Sequence, residues 1–263
     1  MKRYVAAMLV VLGLSACATP DVYDETRGWT VDKVYSEARA ELGSGNYTRA
    51  EKLYETLQSR FPYGRYAQQA QIDLIYAYYK DHEPEQAVTA ADRFIQQHPA
   101  HPNLDYVLYL KGLVYLNSDA SLFAKWGGQD MSERDPKGFN DAFQSFRQVI
   151  TRFPESKYAP DSLAKMNQLI DALGGHEIHV ARYYMKRGAY LAAVNRAQTV
   201  LKEYNNTRYV EEALAIMVVG YDKLGIPVLR DDARRVLALN YPKSSYLSQS
   251  WQPTQLPWWK FWS

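Results

Sequence analysis

Cysteine is nearly missing from this chain: Cys17 is the only one among 263 residues. No intramolecular disulfide can form, so the fold must rest on a core alone. Charge of one sign is also lacking. Lys and Arg number 31 against 29 Asp and Glu, and Lys2 and Arg3 account for the difference. A bulk nucleic-acid binder needs a basic excess on one face, so that class is set aside. No apolar run reaches the ~20 residues that a membrane-spanning helix needs. Strand-like alternation of useful length is absent. There is no Gly-x-Ser-x-Gly, no Gly-rich phosphate loop and no paired acidic motif in a sensible context, so nothing proposes an enzyme or a cofactor. What the chain does have is tyrosine, at 22 residues.

The first residues form a recognisable leader. Lys2 and Arg3 precede an apolar stretch over residues 5–14, and Leu14-Ser15-Ala16-Cys17 closes it. A positive start, a short apolar centre and small residues before a cut site describe a secretory signal. The tetrapeptide resembles a bacterial lipobox. That resemblance implies cleavage after residue 16 and acylation of Cys17, which would also cap a thiol that is a liability in an oxidising compartment. Several acyl chains give stable anchoring, at roughly 0.8 kcal/mol per buried methylene. In such lipoproteins Asp after the Cys favours inner-membrane retention. Ala18 stands here, which implies the outer membrane and its periplasmic face.

The remainder repeats itself. An aromatic or His followed by a turn residue recurs at Phe61-Pro62, His98-Pro99, Phe153-Pro154, Tyr204-Asn205 and Tyr241-Pro242. Four residues after the turn residue stand Tyr66, Tyr158, Tyr209 and Tyr246, with Asn103 in the second unit. Upstream, three columns fall in register: Ala50, Ala87, Ala142 and Ala193; then Tyr54, Ala91, Phe146 and Ala197; then Leu57, Phe94, Val149 and Val200. A fourth column holds Gly45, Gly188 and Gly225. Positions three and four apart share a helix face. Small Ala lets helices approach, Pro stops a helix, and Gly permits the tight turn between two. The pattern resembles the tetratricopeptide repeat, which implies an all-α solenoid of five helix-turn-helix repeats.

The spacing predicts helix pairs at 31–44 with 47–60, 65–80 with 84–97, 103–117 with 136–152, 159–187 with 190–203, and 208–224 with 228–240. Three departures stand out. Arg230 replaces the small Ala of the fifth unit, as a terminal repeat allows. Residues 118–133 are an insertion containing Lys125-Trp126-Gly127-Gly128, and a loop of that length is often functional. Extra residues around Gly174-Gly175 either extend a helix or add one. The expected organisation is a signal at 1–16, a lipidated tether at 17–29, three repeats forming a substrate groove at 30–155, two partner-binding repeats at 156–242, and an aromatic tail at 243–263.

Candidate sites are few. His176 and His179 can share a helix face and chelate, but the pair lacks the His-Glu-x-x-His arrangement. They read first as helix-packing or exposed histidines. The first helices of the second and third pairs carry Tyr76, Tyr78, Tyr79, Tyr106, Tyr109 and Tyr115. Tyrosine offers a rigid apolar face and a hydroxyl, a combination common in binding surfaces. Adjacent Tyr78 and Tyr79 cannot face one way, so about half of the set belongs to the core. The tail ends Pro257-Trp258-Trp259-Lys260-Phe261-Trp262, suited to docking on the array, on a partner or at a membrane interface.

A more specific likeness covers residues 29–242. It rests on Phe61-Pro62-Tyr63-Gly64-Arg65-Tyr66, on Ile72-Asp73-Leu74-Ile75-Tyr76-Ala77-Tyr78-Tyr79-Lys80, and on Asp92-Arg93-Phe94-Ile95. His101-Pro102-Asn103-Leu104-Asp105-Tyr106, Arg134-Asp135-Pro136, Tyr183-Tyr184, Arg187-Gly188-Ala189-Tyr190 and Val194-Asn195-Arg196 add to it. Together these resemble the BamD family, lipoproteins of the outer-membrane β-barrel assembly machine. The resemblance implies a non-enzymatic scaffold that takes unfolded outer-membrane barrel proteins in its N-terminal groove, with Tyr76, Tyr79, Tyr106 and Tyr109 as candidate contacts. It implies that the C-terminal repeats bind a periplasmic POTRA domain of BamA through Arg196, with Arg187 and Tyr190 beside it, and that other lipoproteins of the machine dock as well. The alternatives are a periplasmic repeat lipoprotein serving cell-wall synthesis and, more remotely, a metal enzyme using His176 and His179.

Overall fold

The computed structural model describes residues 24–118 and 136–252. The leader, Cys17, the insertion around Trp126 and the final Trp-rich segment lie outside the described residues. Those described form an all-α protein of ten helices: α1 (Val31–Ser44), α2 (Tyr47–Arg60), α3 (Arg65–Lys80), α4 (Pro84–Gln97), α5 (Leu104–Ser118), α6 (Pro136–Arg152), α7 (Ala159–Lys186), α8 (Tyr190–Glu203), α9 (Val210–Lys223) and α10 (Pro227–Asn240). Each packs on the next in sequence. Substantial contacts between helices not adjacent in sequence all join the first helices of pairs: α1 with α3, α3 with α5, and α7 with α9. First helices therefore line the inner side of the stack.

The repeat columns have plain structural meanings. Phe61, His98, Tyr204 and Tyr241 are the C-caps of second helices, with φ of −129°, −131°, −125° and −131°. A residue before proline is pushed out of the helical region, which is why three of these helices stop there. Each cap still donates its N–H to the carbonyl of the core residue four back: Leu57, Phe94, Val200 and Leu237. The Ala50, Tyr54 and Leu57 columns are buried in all of the first four units. In α10 only Ala233 and Leu237 are buried, and Arg230 instead pairs with Asp222 at 3.0 Å and Asp231 at 2.8 Å. Among the described residues no further α-helix follows α10.

Gly45, Gly188 and Gly225 take φ of 85°, 74° and 70° between paired helices. In the second unit His82 holds this left-handed position, at φ 62°. The following residue, Glu83, donates its N–H to Tyr78 O at 2.9 Å, as Asn46, Ala189 and Ile226 do to their own fifth-preceding carbonyls. The same helix-terminating motif is thus made without glycine, against the Cβ penalty of that region. His82→Gly is expected to raise stability by up to about 1 kcal/mol, the strain relief being partly offset by the greater freedom of the unfolded chain. Urea denaturation checks this, and a loss of stability would show that the His82 side chain itself holds the turn.

The extra residues near Gly174 extend one helix rather than add another. α7 runs unbroken through Gly174 and Gly175, both buried. A Cβ on Gly174 would stand 3.1 Å from Thr207 Oγ1 and 3.3 Å from Tyr204 Cβ. Gly174 leaves room for the loop after α8 and does not make a turn. A second difference concerns the C-terminal end. Residues 245–252, assigned by sequence to the tail, pack back on the array. Trp251 is buried with Tyr246 and Leu247 against the C-terminal core, and its indole Nε1 donates to Glu212 Oε1 at 3.1 Å. Arg182 grips the same carboxylate with Nε at 2.7 Å and Nη2 at 2.6 Å. Trp251 lies beyond the last repeat column, so no period marks it.

Candidate functional site

Two regions emerge from the geometry. The first is a row of tyrosines along the first helices. Tyr35 of α1 lies 5.1 Å from Tyr66 and 6.3 Å from Tyr54, ring to ring. Tyr76 and Tyr79 of α3 are 6.4 Å apart, and Asn117 of α5 donates to the Tyr79 hydroxyl at 2.9 Å. Tyr106 and Tyr109 of α5 meet Tyr158 at 5.3 Å and 4.9 Å, the latter pair stacked at 20°. All four tyrosines predicted from the sequence, Tyr76, Tyr79, Tyr106 and Tyr109, are half-buried and packed against one cluster built from α3 to α6.

Carboxylates organise the row. Asp73 accepts from the Tyr35 hydroxyl at 3.0 Å, from Tyr54 at 3.4 Å and from Gln69 Nε2 at 2.8 Å. Tyr66 donates to Asp32 at 2.6 Å and Tyr109 to Asp161 at 2.6 Å. Burial, reinforced by Asp73, pushes the Tyr35 hydroxyl up to about 12. Burial likewise raises Tyr54, Tyr106 and Tyr109. The hydroxyls of Tyr35, Tyr54, Tyr106 and Tyr109 therefore stay protonated near neutral pH. The row offers neutral, rigid aromatic faces, and the hydroxyls of Tyr35, Tyr54, Tyr66 and Tyr109 are held by carboxylate acceptors, a surface suited to apolar and aromatic side chains. Tyr63, in the loop between α2 and α3, is 90% exposed.

The second region is at the junction of α7 and α8. Arg196 is 44% exposed and its Nη1 pairs with Glu177 of α7 at 3.2 Å. Arg187, the C-cap of α7, donates to the Tyr183 hydroxyl at 3.3 Å and lies 5.5 Å from that ring. Tyr183 is 52% exposed and Leu191 60%. Tyr190 instead leans on the C-terminal core. Six residues separate Tyr190 from Arg196, which is about 9 Å of helix and about 120° around it. Arg187 thus gathers with Tyr183, while Arg196 stands apart with Glu177. His179 is exposed and His176 half-buried. Neither belongs to the one group of three or more metal-type ligands among the described residues.

Residues 29–237 match the family described as outer membrane lipoprotein, YfiO. The chain belongs to this family. It is 54% identical, over 100% of both chains, to a Neisseria meningitidis protein named outer membrane protein assembly factor BamD. Proteins of the same name from Xylella fastidiosa and Vibrio cholerae are 35% and 33% identical, over 85% and 91% of this chain and 77% and 99% of theirs. No helix among the described residues is long and apolar enough to cross a membrane.

Within this BamD-family chain, sequence reasoning missed half of the tyrosine row. Tyr66 and Tyr158 stood out only as a repeat column. Each in fact reaches back onto the first helix of the preceding unit, Tyr66 onto Tyr35 and Tyr158 onto Tyr106 and Tyr109. The column was the available signal: an aromatic recurring at the start of first helices joins neighbouring units. Asp73 and Asp161 carried no signal of their own, because a lone Asp on a helix reads as solvated.

Proposed function

We propose that the chain is a non-catalytic scaffold of outer-membrane β-barrel assembly, anchored at the periplasmic face through lipid on Cys17. The observation that carries this is end-to-end similarity to proteins named as assembly factors. The N-terminal repeats take unfolded barrel proteins along the tyrosine row, with Tyr76, Tyr79, Tyr106 and Tyr109 in reach of extended aromatic-ended segments. The C-terminal repeats hold the BamA POTRA domain through Arg196, and other lipoproteins of the machine join them. Support for two separate ends comes from the distribution of chemistry: neutral aromatic faces on α1, α3 and α5, and on α7 and α8 the exposed Tyr183 and Leu191 together with a part-exposed Arg196 held by Glu177.

Photo-crosslinking in cells from Tyr63, Tyr79 and Tyr109 tests the first end. Capture of nascent barrel proteins is expected, and capture of cell-wall synthases in their place would sink the reading. The second end is tested by Arg196→Ala. Losing a charge-assisted contact should weaken BamA binding by about 1.5–3 kcal/mol, a factor on the order of 10 to 150. Unchanged retention of BamA in a pull-down would remove Arg196 from that interface.

A further inference from the structure

Away from both ends, three carboxylates meet where the first helix pair joins the second. Glu51 comes from α2, Asp81 caps α3, and Glu83 precedes α4, with left-handed His82 between the last two. One oxygen of each lies within 4.8 Å of one of each other. The acidic cluster alone would mean little. Glu51, however, is only 7% exposed, and its Oε1 is buried with no hydrogen-bond partner. The charges acting on it, from Glu83, Asp81 and Glu55, are all negative. A buried, unpaired carboxylate is costly unless a proton or a cation satisfies it.

We propose that Glu51, Asp81 and Glu83 form a divalent-cation site of the calcium class, which clasps α2 to the turn between α3 and α4. Three oxygens this close share a centre no more than about 2.8 Å from each, near the roughly 2.3–2.6 Å of calcium–oxygen bonds. Calcium also tolerates irregular oxygen sets completed by water, whereas magnesium demands a near-ideal octahedron. Thr48 Oγ1 donates to Asp81 Oδ2 at 2.9 Å, which steadies one member of the set. Burial and the neighbouring carboxylates hold the Glu51 carboxyl up at about 7, so below that pH a proton competes for the site. Glu55 on its own helix, Asp81 and Glu83 in the turn, and Tyr78 of α3, which donates to Glu55 at 2.7 Å, are the groups that set this balance.

The test uses the full chain in detergent, stripped with chelator and titrated calorimetrically with calcium chloride and, in parallel, magnesium chloride. One calcium site is expected, with a Kd on the order of 0.1–1 mM. At ten times Kd the Tm should rise by about 3–5 °C. Binding should be weaker at pH 6 than at pH 8. Glu51→Gln and Glu83→Gln should each abolish the saturable heat. Without metal, Glu51→Gln should melt no lower than wild type, because it removes the buried charge and keeps the shape. No saturable calcium binding, binding of magnesium alone, or equal calcium binding by Glu51→Gln would each overturn the proposal.

Discussion

Phe146→Ala should destabilise the chain by about 3–5 kcal/mol, and Gly112→Ala should change sign in its presence. Phe146 of α6 is fully buried, and its ring lies directly over Gly112 of α5. A Cβ on Gly112 would come within 2.6 Å of Cε1 and 2.8 Å of Cδ1 and Cζ. In the intact chain this overpacking should cost about 1–3 kcal/mol, since the ring has nowhere to retreat. Once the ring is removed the same methyl enters a cavity. Gly112→Ala should then stabilise by about 1 kcal/mol through helix propensity alone. Urea melts of the four proteins of the cycle measure this directly. Equal destabilisation by Gly112→Ala in both backgrounds would show that the close approach is not what sets the cost. The site bears on the proposed function because Tyr109 rests 5.9 Å from the Phe146 ring and stacks on Tyr158. Crosslinks from Tyr109 should weaken in Phe146→Ala, while those from Tyr63, two pairs away, should persist.

Trp251→Ala should cost about 3–5 kcal/mol at the C-terminal end. The indole is 5% exposed, and it closes a core that would otherwise present α7 and α9 to water. It also donates to Glu212, a carboxylate already bound twice by Arg182. Trp251→Phe separates the two contributions. It keeps much of the apolar burial and loses a hydrogen bond to a charged group, worth about 1.5–3 kcal/mol. The expected order is therefore wild type, then Trp251→Phe, then Trp251→Ala, in melts and in protection of residues 243–250 from limited proteolysis. Wild-type stability in both variants would mean that residues 245–252 do not cap the array. Arg196 contacts Glu177 rather than this cluster, so the proposed BamA binding should survive Trp251→Phe.

The helix pairs were legible because their causes are local. Ala at position 50 and its repeats, the cap at Phe61 and its repeats, and the glycine turns act within one or two turns of backbone. A period of 37 residues where no extra segment intervenes, as from Pro62 to Pro99 and from Asn205 to Pro242, copies them along the chain. The tyrosines of α3 and α5 were legible as chemistry for the same reason: a residue type on a predicted face needs no partner to be noticed.

What each of those residues does was decided elsewhere. Asp73 takes the hydroxyls of Tyr35, 38 residues away, and Tyr54, 19 away, only because the fold brings both to it. Tyr109 finds Asp161 across 52 residues. By sequence the residues around Gly174 either extend a helix or add one, and Gly174 serves as a spacer within one helix because Thr207 lies over it. Cys17, the near-absence that excluded disulfides, stayed a sequence inference throughout. So the chain by itself determined an all-α repeat array and its family. Only the stacking of one repeat on the next decided which polar groups are satisfied, which are orphaned, and which glycines are contacts, because burial is set by whatever the neighbouring unit brings.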